Sequence, residues 1–376
     1  MTRHNLINIF VQIILLLLLT AFPKVVLELS AQTARPGGTS LKKCWEYKVE
    51  GLPSNPIASD DRKIFVGTEA GSIHAVDATT SIKLWSTELG GEIVSNLLVT
   101  DSSVFVVTNP VASDGNDGDS SILRSLSKET GITNWSVRLP FSERIFLGGT
   151  QNSIIVVGRE GSIVAVQKQT GDRIWKIQFS GTVTALPYFS DRAIVFGTSE
   201  KQVVLISSEN GKELVKRPNA FAPSAVMSLS DNTLVVGDER GNVALINTSG
   251  GRPVWKFKSG GGISHVSVSK KGLIVTSLDN FIYLISMYNG DVIWKRRMPG
   301  RVVDGVLVAG NVIFTLIYGE SLAFLLALDN GRITDQVMQK EKNYLSQIPI
   351  LVGDSKIIFA TASGLESYGL KPCPTK

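Results

Sequence analysis

The feature that most restricts the fold of this chain is the spacing of its tryptophans. The six residues are Trp45, Trp85, Trp135, Trp175, Trp255 and Trp294, at intervals of 40, 50, 40, 80 and 39. The long interval holds two units with Val215 in the middle slot, and 41 residues beyond Trp294 lies Asp335 in Gly331-Arg-Ile-Thr-Asp335. A unit of about 40 residues is one supersecondary element that cannot bury its apolar face alone, so a period of this size marks a propeller or a solenoid. Eight such units fit between Trp45 and Lys376.

The same local grammar recurs inside each unit. Two β-rich runs flank a short polar or glycine turn in Lys63–Asp77, Ile154–Gln167, Leu234–Asn247 and Leu273–Ser286, which reads as a hairpin. A polar loop ending near glycine then leads into the tryptophan strand, as in Thr170-Gly171-Asp-Arg-Ile-Trp175 and Asn289-Gly290-Asp-Val-Ile-Trp294. Stretches such as Val183–Phe189 and Ile263–Ser269 supply a further strand. Four antiparallel strands per unit predict an all-β, eight-bladed β-propeller. A solenoid would need polar capping repeats at both ends. Here the first repeat segment, Cys44–Val49, is a tryptophan strand without a hairpin, and the last, Lys356–Leu370, is a hairpin without a tryptophan strand. Pairing the N- and C-terminal segments completes the eighth blade and leaves the ring no open edge.

Before the repeats, Arg3 and His4 precede an apolar run over residues 6–22, with small residues Ser30 and Ala31 further on. This reads as a signal peptide over 1–31, with an uncleaved anchor through 6–22 as the alternative, because the run sits at the lower edge of membrane-spanning length. Residues 32–43 are then a linker and 44–376 the propeller, in a periplasmic or secreted location. Cys44 is too far from the apolar run to carry a lipid. The net charge of +5, from 38 Lys+Arg against 33 Asp+Glu, is spread along the chain without a basic block, so no nucleic-acid partner is expected.

Ala75-Val-Asp77-Ala-Thr-Thr80-Ser81-Ile-Lys-Leu-Trp85 resembles the tryptophan-docking motif of the PQQ-like (quinoprotein-type) propeller repeats, with Ser81 where glycine is usual. Weaker copies end at Trp135 and Trp175, keeping Thr130-Gly131 and Thr170-Gly171 but not the aspartate. The resemblance covers residues 44–370 and extends to the BamB-like assembly factors of that family. It implies that Trp45, Trp85, Trp135, Trp175, Trp255 and Trp294 are blade-docking residues, each burying ~150–250 Å² against the next blade. Val215 and Asp335 depart from the pattern, so their blades are expected to dock less tightly.

Quinone-dependent enzymes of this family carry long insertions, an adjacent cysteine pair and an acidic calcium site. This chain has only Cys44 and Cys373, far apart, and blades of nearly minimal length. The expectation is therefore a non-catalytic scaffold with no cofactor, binding other envelope proteins through outer blade edges or loops, as a monomer. Binding of a small ligand or polysaccharide in the channel is an alternative, and a PQQ-dependent dehydrogenase a more remote one. No metal site is expected from histidine, since His74 and His265 stand in separate units without ligand spacing. The 50-residue interval contains an expansion, Asn109–Ser121, bearing Asp114, Asn116, Asp117 and Asp119. It reads either as a calcium-wrapping loop or as a solvated hairpin loop.

The two cysteines meet in repeat coordinates. Cys44 occupies the slot of Ile174, and aligning Gly364 with Gly161 puts Cys373 in the slot of Thr170, across the turn joining the third and fourth strands. If the chain ends share a blade, a disulfide between Cys44 and Cys373 clasps the ring in an oxidising compartment.

Overall fold

The computed structural model describes residues 41–370 and Cys373, except 52, 54–56, 61, 111–120, 142–143, 251, 303–304, 319–321, 339–348 and 354. The signal, most of the linker and the centre of the acidic expansion lie outside the described residues, so the readings of those segments remain expectations.

The strands form eight antiparallel sheets, seven of them paired in sequence order from the innermost strand outward. Blade 1 comprises Ala58–Ser59, Lys63–Gly67, Ser72–Asp77 and Lys83–Glu88, and blade 3 comprises Ile145–Gly149, Ser153–Gly158, Ser162–Gln167 and Arg173–Gln178. Between them, blade 2 has its innermost strand split into Gly91–Ile93 and Leu98–Val99, both paired with Ser103–Pro110. Blades 4 to 7 end on the outer strands Glu213–Pro218, Trp255–Lys258, Val292–Arg297 and Ile333–Met338. No helix occurs among the described residues.

Blade 8 is built from both ends of the ring. Ile350–Val352, Lys356–Thr361 and Gly364–Gly369 supply three strands, and Lys42–Lys48 adds the outermost one with Trp45 opposite Ser367. Closure by the terminal segments is thus as the half-units of the sequence predict.

The apolar core is divided into eight clusters, one at each junction of neighbouring blades. Ile155 and Val157 of blade 3 pack with Ile194 and Phe196 of blade 4, while Ile154 and Val156 of the same strand face the cluster shared with blade 2. Both faces of a middle strand are covered, which is why Ile154 to Val157 is an unbroken apolar run with no exposed surface. Outermost strands behave differently. Arg173–Gln178 alternates exposed and half-buried positions, because neighbouring blades diverge with radius and cover only one face.

Candidate functional site

The outer rim holds the docking slots. Each tryptophan points at the third-to-fourth-strand turn of the next blade, and its indole N–H donates to a backbone carbonyl there. Trp45 reaches Ala78 O at 3.2 Å, Trp85 reaches Lys128 O at 3.1 Å, and Trp135 reaches Lys168 O at 3.1 Å. Trp175 bonds Ser208 O at 3.3 Å, Trp255 bonds Met287 O at 2.9 Å, and Trp294 bonds Leu328 O at 2.9 Å. The indole ring lies flat on that turn. A Cβ added to Gly171 would sit 2.7 Å from the Trp135 ring, and one on Gly331 would sit 2.5 Å from Trp294. These glycines also hold positive φ, +80° and +64°, so the glycine of the turn answers two demands at one position. Ser81 takes the same left-handed conformation with a side chain, at φ +61°.

Two junctions lack tryptophan, and each makes its polar contact by other means. Val215 is followed two residues later by Arg217, whose guanidinium donates to Asn247 O of blade 5 at 2.6 Å. The slot glycine of that blade, four residues before Trp255 as Gly171 is before Trp175, is Gly251, which lies outside the described residues. At the other junction Asp335 is buried, and its Oδ2 accepts from the Leu41 N–H at 2.7 Å. The donor and acceptor have exchanged sides. Phe314, Phe359 and Tyr368 stack beside it with centroids 6.0 and 5.1 Å apart. Neither replacement is marked in the sequence: Arg296 stands two residues after the filled slot of Trp294, and the carboxylate at 335 gives no hint of its partner.

Cys44 and Cys373 are joined by a disulfide, with Cα atoms 5.4 Å apart across a separation of 329 residues. His74 is buried. Its ring nitrogens lie 3.2 Å from Ser72 Oγ and 3.5 Å from Tyr47 Oη, and burial lowers its pKa. His265 stands in the inner strand of blade 6 behind Gly305, where an added Cβ would come within 2.7 Å of its ring. Among the described residues no group of three or more His, Cys, Asp or Glu is arranged to hold a metal.

A second site lies where the inner strands converge on the axis. Two adjoining cavities of about 350 and 330 Å³ share Arg144, Phe146 and Leu186. The volumes fall in the range of ligand and anchor-residue pockets. Their walls come from several blades: Asn96 from blade 2, Arg144, Phe146 and Arg159 from blade 3, Leu186 from blade 4 and Ser224 from blade 5. Side-chain bonds tie these inner strands together, as Asn96 Nδ2 donates to Leu147 O at 3.1 Å and Ser224 Oγ to Ile263 O at 2.6 Å. The Arg159 N–H donates to Arg144 O at 3.0 Å, which puts the two arginines side by side. Both are exposed at the mouth, with the Arg144 guanidinium 5.7 Å from the Phe146 ring centroid and Leu186 48% exposed nearby. Tandem guanidiniums, an aromatic face and a bare leucine form the composition of a protein-binding anchor site. Sequence patterning does not single out Arg144, Arg159 or Leu186, because they fall outside the repeat motif and meet only when the blades close.

A ring of four-stranded blades, most of them pinned to the next by an indole lying on its outer turn, is the architecture of the PQQ-like repeat propellers. The chain belongs to the family described as outer membrane protein assembly factor BamB, whose profile matches residues 33–140, 118–258 and 239–372. A stretch of 132 residues is 24% identical to BamB of Yersinia pestis, covering 34% of this chain and 31% of that protein's length. The fold is similar to that of the crystal structure of BamB from Moraxella catarrhalis, with TM-score 0.67 and 14% identity over 89% of this chain and 99% of the other. It is similar too to the quinohemoprotein alcohol dehydrogenase of Comamonas testosteroni, with TM-score 0.67 and 11% identity over 89% and 78% of the two chains. At these identities the solved structures speak for the fold alone.

Proposed function

We propose that this chain is a non-catalytic scaffold of the cell envelope, exported by residues 1–31, that supports outer-membrane protein assembly by holding a partner protein at the axial mouth. The observation that carries this reading is the convergence of Arg144, Arg159, Phe146 and the half-exposed Leu186 on one rim of the channel. Arginine and aromatic side chains are enriched in protein interfaces, and a rigid ring holds them with little ordering cost on binding. Membership of the BamB family supports the same role. The shared fold of an alcohol dehydrogenase does not argue against it, since one fold hosts many functions and chemistry resides in sites.

A photo-crosslinking residue placed at Leu186 tests the proposal in the native envelope. It is expected to capture a component of the outer-membrane assembly machinery, while the same residue at Tyr288, on an outer turn, is expected to capture none of it. Absence of a capture specific to position 186, or quinone-dependent alcohol oxidation by the purified protein, would overturn it.

A further inference from the structure

The chain's positive charge, dispersed along the sequence, is gathered by the fold onto one side of the ring. On each outermost strand the residues one and three after the tryptophan slot share a face, since strand side chains alternate, and the residue one before it stands at a bulge or at the strand's entry. In blades 3 to 6 these positions are exposed and hold Lys176, Lys216, Lys256, Lys258, Lys295 and Arg297, with no acidic residue. The position directly after the slot is lysine in all four, at intervals of 40, 40 and 39. In blades 8, 1 and 2 the matching charges are Lys48 and Arg138 against Glu46 and Glu88, which cancel, and blade 7 has Gln336 after its slot. None of the six belt cations makes a salt bridge among the described residues.

Lysine on an edge strand discourages unwanted strand pairing, but that need is common to every blade. Ser86, Ser136 and Gln336 occupy the same position elsewhere, so edge protection does not explain four lysines in a row. Next to each slot stands an exposed aliphatic residue, at a bulge or at the entry to the strand: Ile174 at 51%, Leu214 at 55%, Val254 at 59% and Ile293 at 50%. Four consecutive blades of eight span half the circumference. A flat bilayer meets only a narrow sector of a convex rim, whereas a flexible polypeptide can follow it.

We infer that the outer rim of blades 3 to 6 is a docking belt for an extended acidic segment of a partner protein, one that interleaves carboxylates with apolar side chains. The inference rests on the scaffold reading but uses a different surface from the axial mouth. Exposed charges of this kind act mainly on encounter rate and are screened by salt.

Fluorescence anisotropy of the full chain with a labelled peptide of Glu-Leu-Ser-Gly repeats tests the belt. The Gln-substituted peptide, heparin and phosphatidylglycerol vesicles serve as competing probes. The acidic peptide is expected to bind, more weakly as salt is raised, and the Gln peptide is not. The double variant Lys216→Glu/Lys256→Glu is expected to lose roughly tenfold or more in affinity. Lys48→Glu/Lys83→Glu, equal in charge change but on the opposite side, should lose less than about twofold. Equal losses from the two doubles would overturn the belt, as would binding of heparin or vesicles without the acidic peptide. Lys216→Gln/Lys256→Gln, checked for an unchanged thermal transition, separates loss of charge from loss of fold. Failure of peptide binding with the Leu186 crosslink intact removes the belt and leaves the scaffold. Loss of the crosslink with peptide binding intact does the reverse.

Discussion

Six blade junctions are closed by tryptophan and two are not, and the two exceptions show what the slot requires. At the 3/4 junction the Trp175 indole covers Gly211 and bonds Ser208 O, filling space and satisfying a carbonyl with one side chain. At the 4/5 junction those tasks are separated: Val215 joins the apolar cluster, and Arg217 reaches Asn247 O. At the 7/8 junction the polar contact is reversed through Asp335, and an aromatic stack provides the bulk. The slot therefore demands a polar tie to the next turn together with apolar volume, and tryptophan is the residue that supplies both. The expectation of looser docking at Val215 and Asp335 allowed for the missing indole and not for these replacements.

The largest test concerns the disulfide of blade 8, where Cys44 packs against the cluster shared with blade 1. In the chain-entropy model, a closure of 329 residues contributes about 5–6 kcal/mol, an upper figure. Urea unfolding of Cys44→Ser against the parent is expected to show a larger loss than any single-slot variant, and an unchanged midpoint would mean that strand pairing alone holds the ring. Next in size is the contrast between filled and empty slots. Trp255→Ala is expected to cost about 3–5 kcal/mol, whereas Val215→Ala should cost about 1 kcal/mol. Similar losses at the two positions would erase the distinction between the junctions.

The glycines sharpen the comparison further. Gly171→Ala meets both left-handed strain and the Trp135 ring, for an expected cost of about 2–4 kcal/mol. Gly310→Ala, at a turn with the same left-handed backbone but open space, should cost about 1–2 kcal/mol. Chemical denaturation of the pair measures the difference, which is the contribution of the indole contact. The smallest effect is electrostatic. Burial opposes ionisation of Asp77, but bonds from the Thr80 N–H, the Thr80 hydroxyl and the Thr79 N–H outweigh it and hold the carboxyl below its ordinary pKa. A depressed folded-state pKa means stability present above the unfolded value and lost as pH falls through the folded one. Asp77→Asn should therefore flatten the acid limb of the stability profile slightly, while Asn247, its neutral counterpart at the 4/5 junction, contributes no such limb. Equal acid dependence in parent and Asp77→Asn would show that the turn is held by its backbone alone.

Much of this architecture is readable from the chain without coordinates. The 40-residue period, the hairpins, the polar or glycine turn that leads into most tryptophan strands and the two half-units at the ends are local patterns, set by the alternation of strand side chains and by the few conformations a tight turn permits. The proximity of Cys44 and Cys373 follows from the same register, once the half-units are joined. What faces what across a junction is different. Arg217 serving Asn247, Asp335 serving Leu41, and the meeting of Arg144, Arg159 and Leu186 at the axis pair residues whose separation in sequence no repeat fixes. The belt of Lys176, Lys216, Lys256 and Lys295 lies between the two cases. Its spacing is written in the sequence, but a charge every 40 residues becomes a surface only when the ring sets successive outer strands side by side. Periodicity specifies the blades because each blade is a local object, and their closure decided the functional surfaces because those are made of contacts between blades.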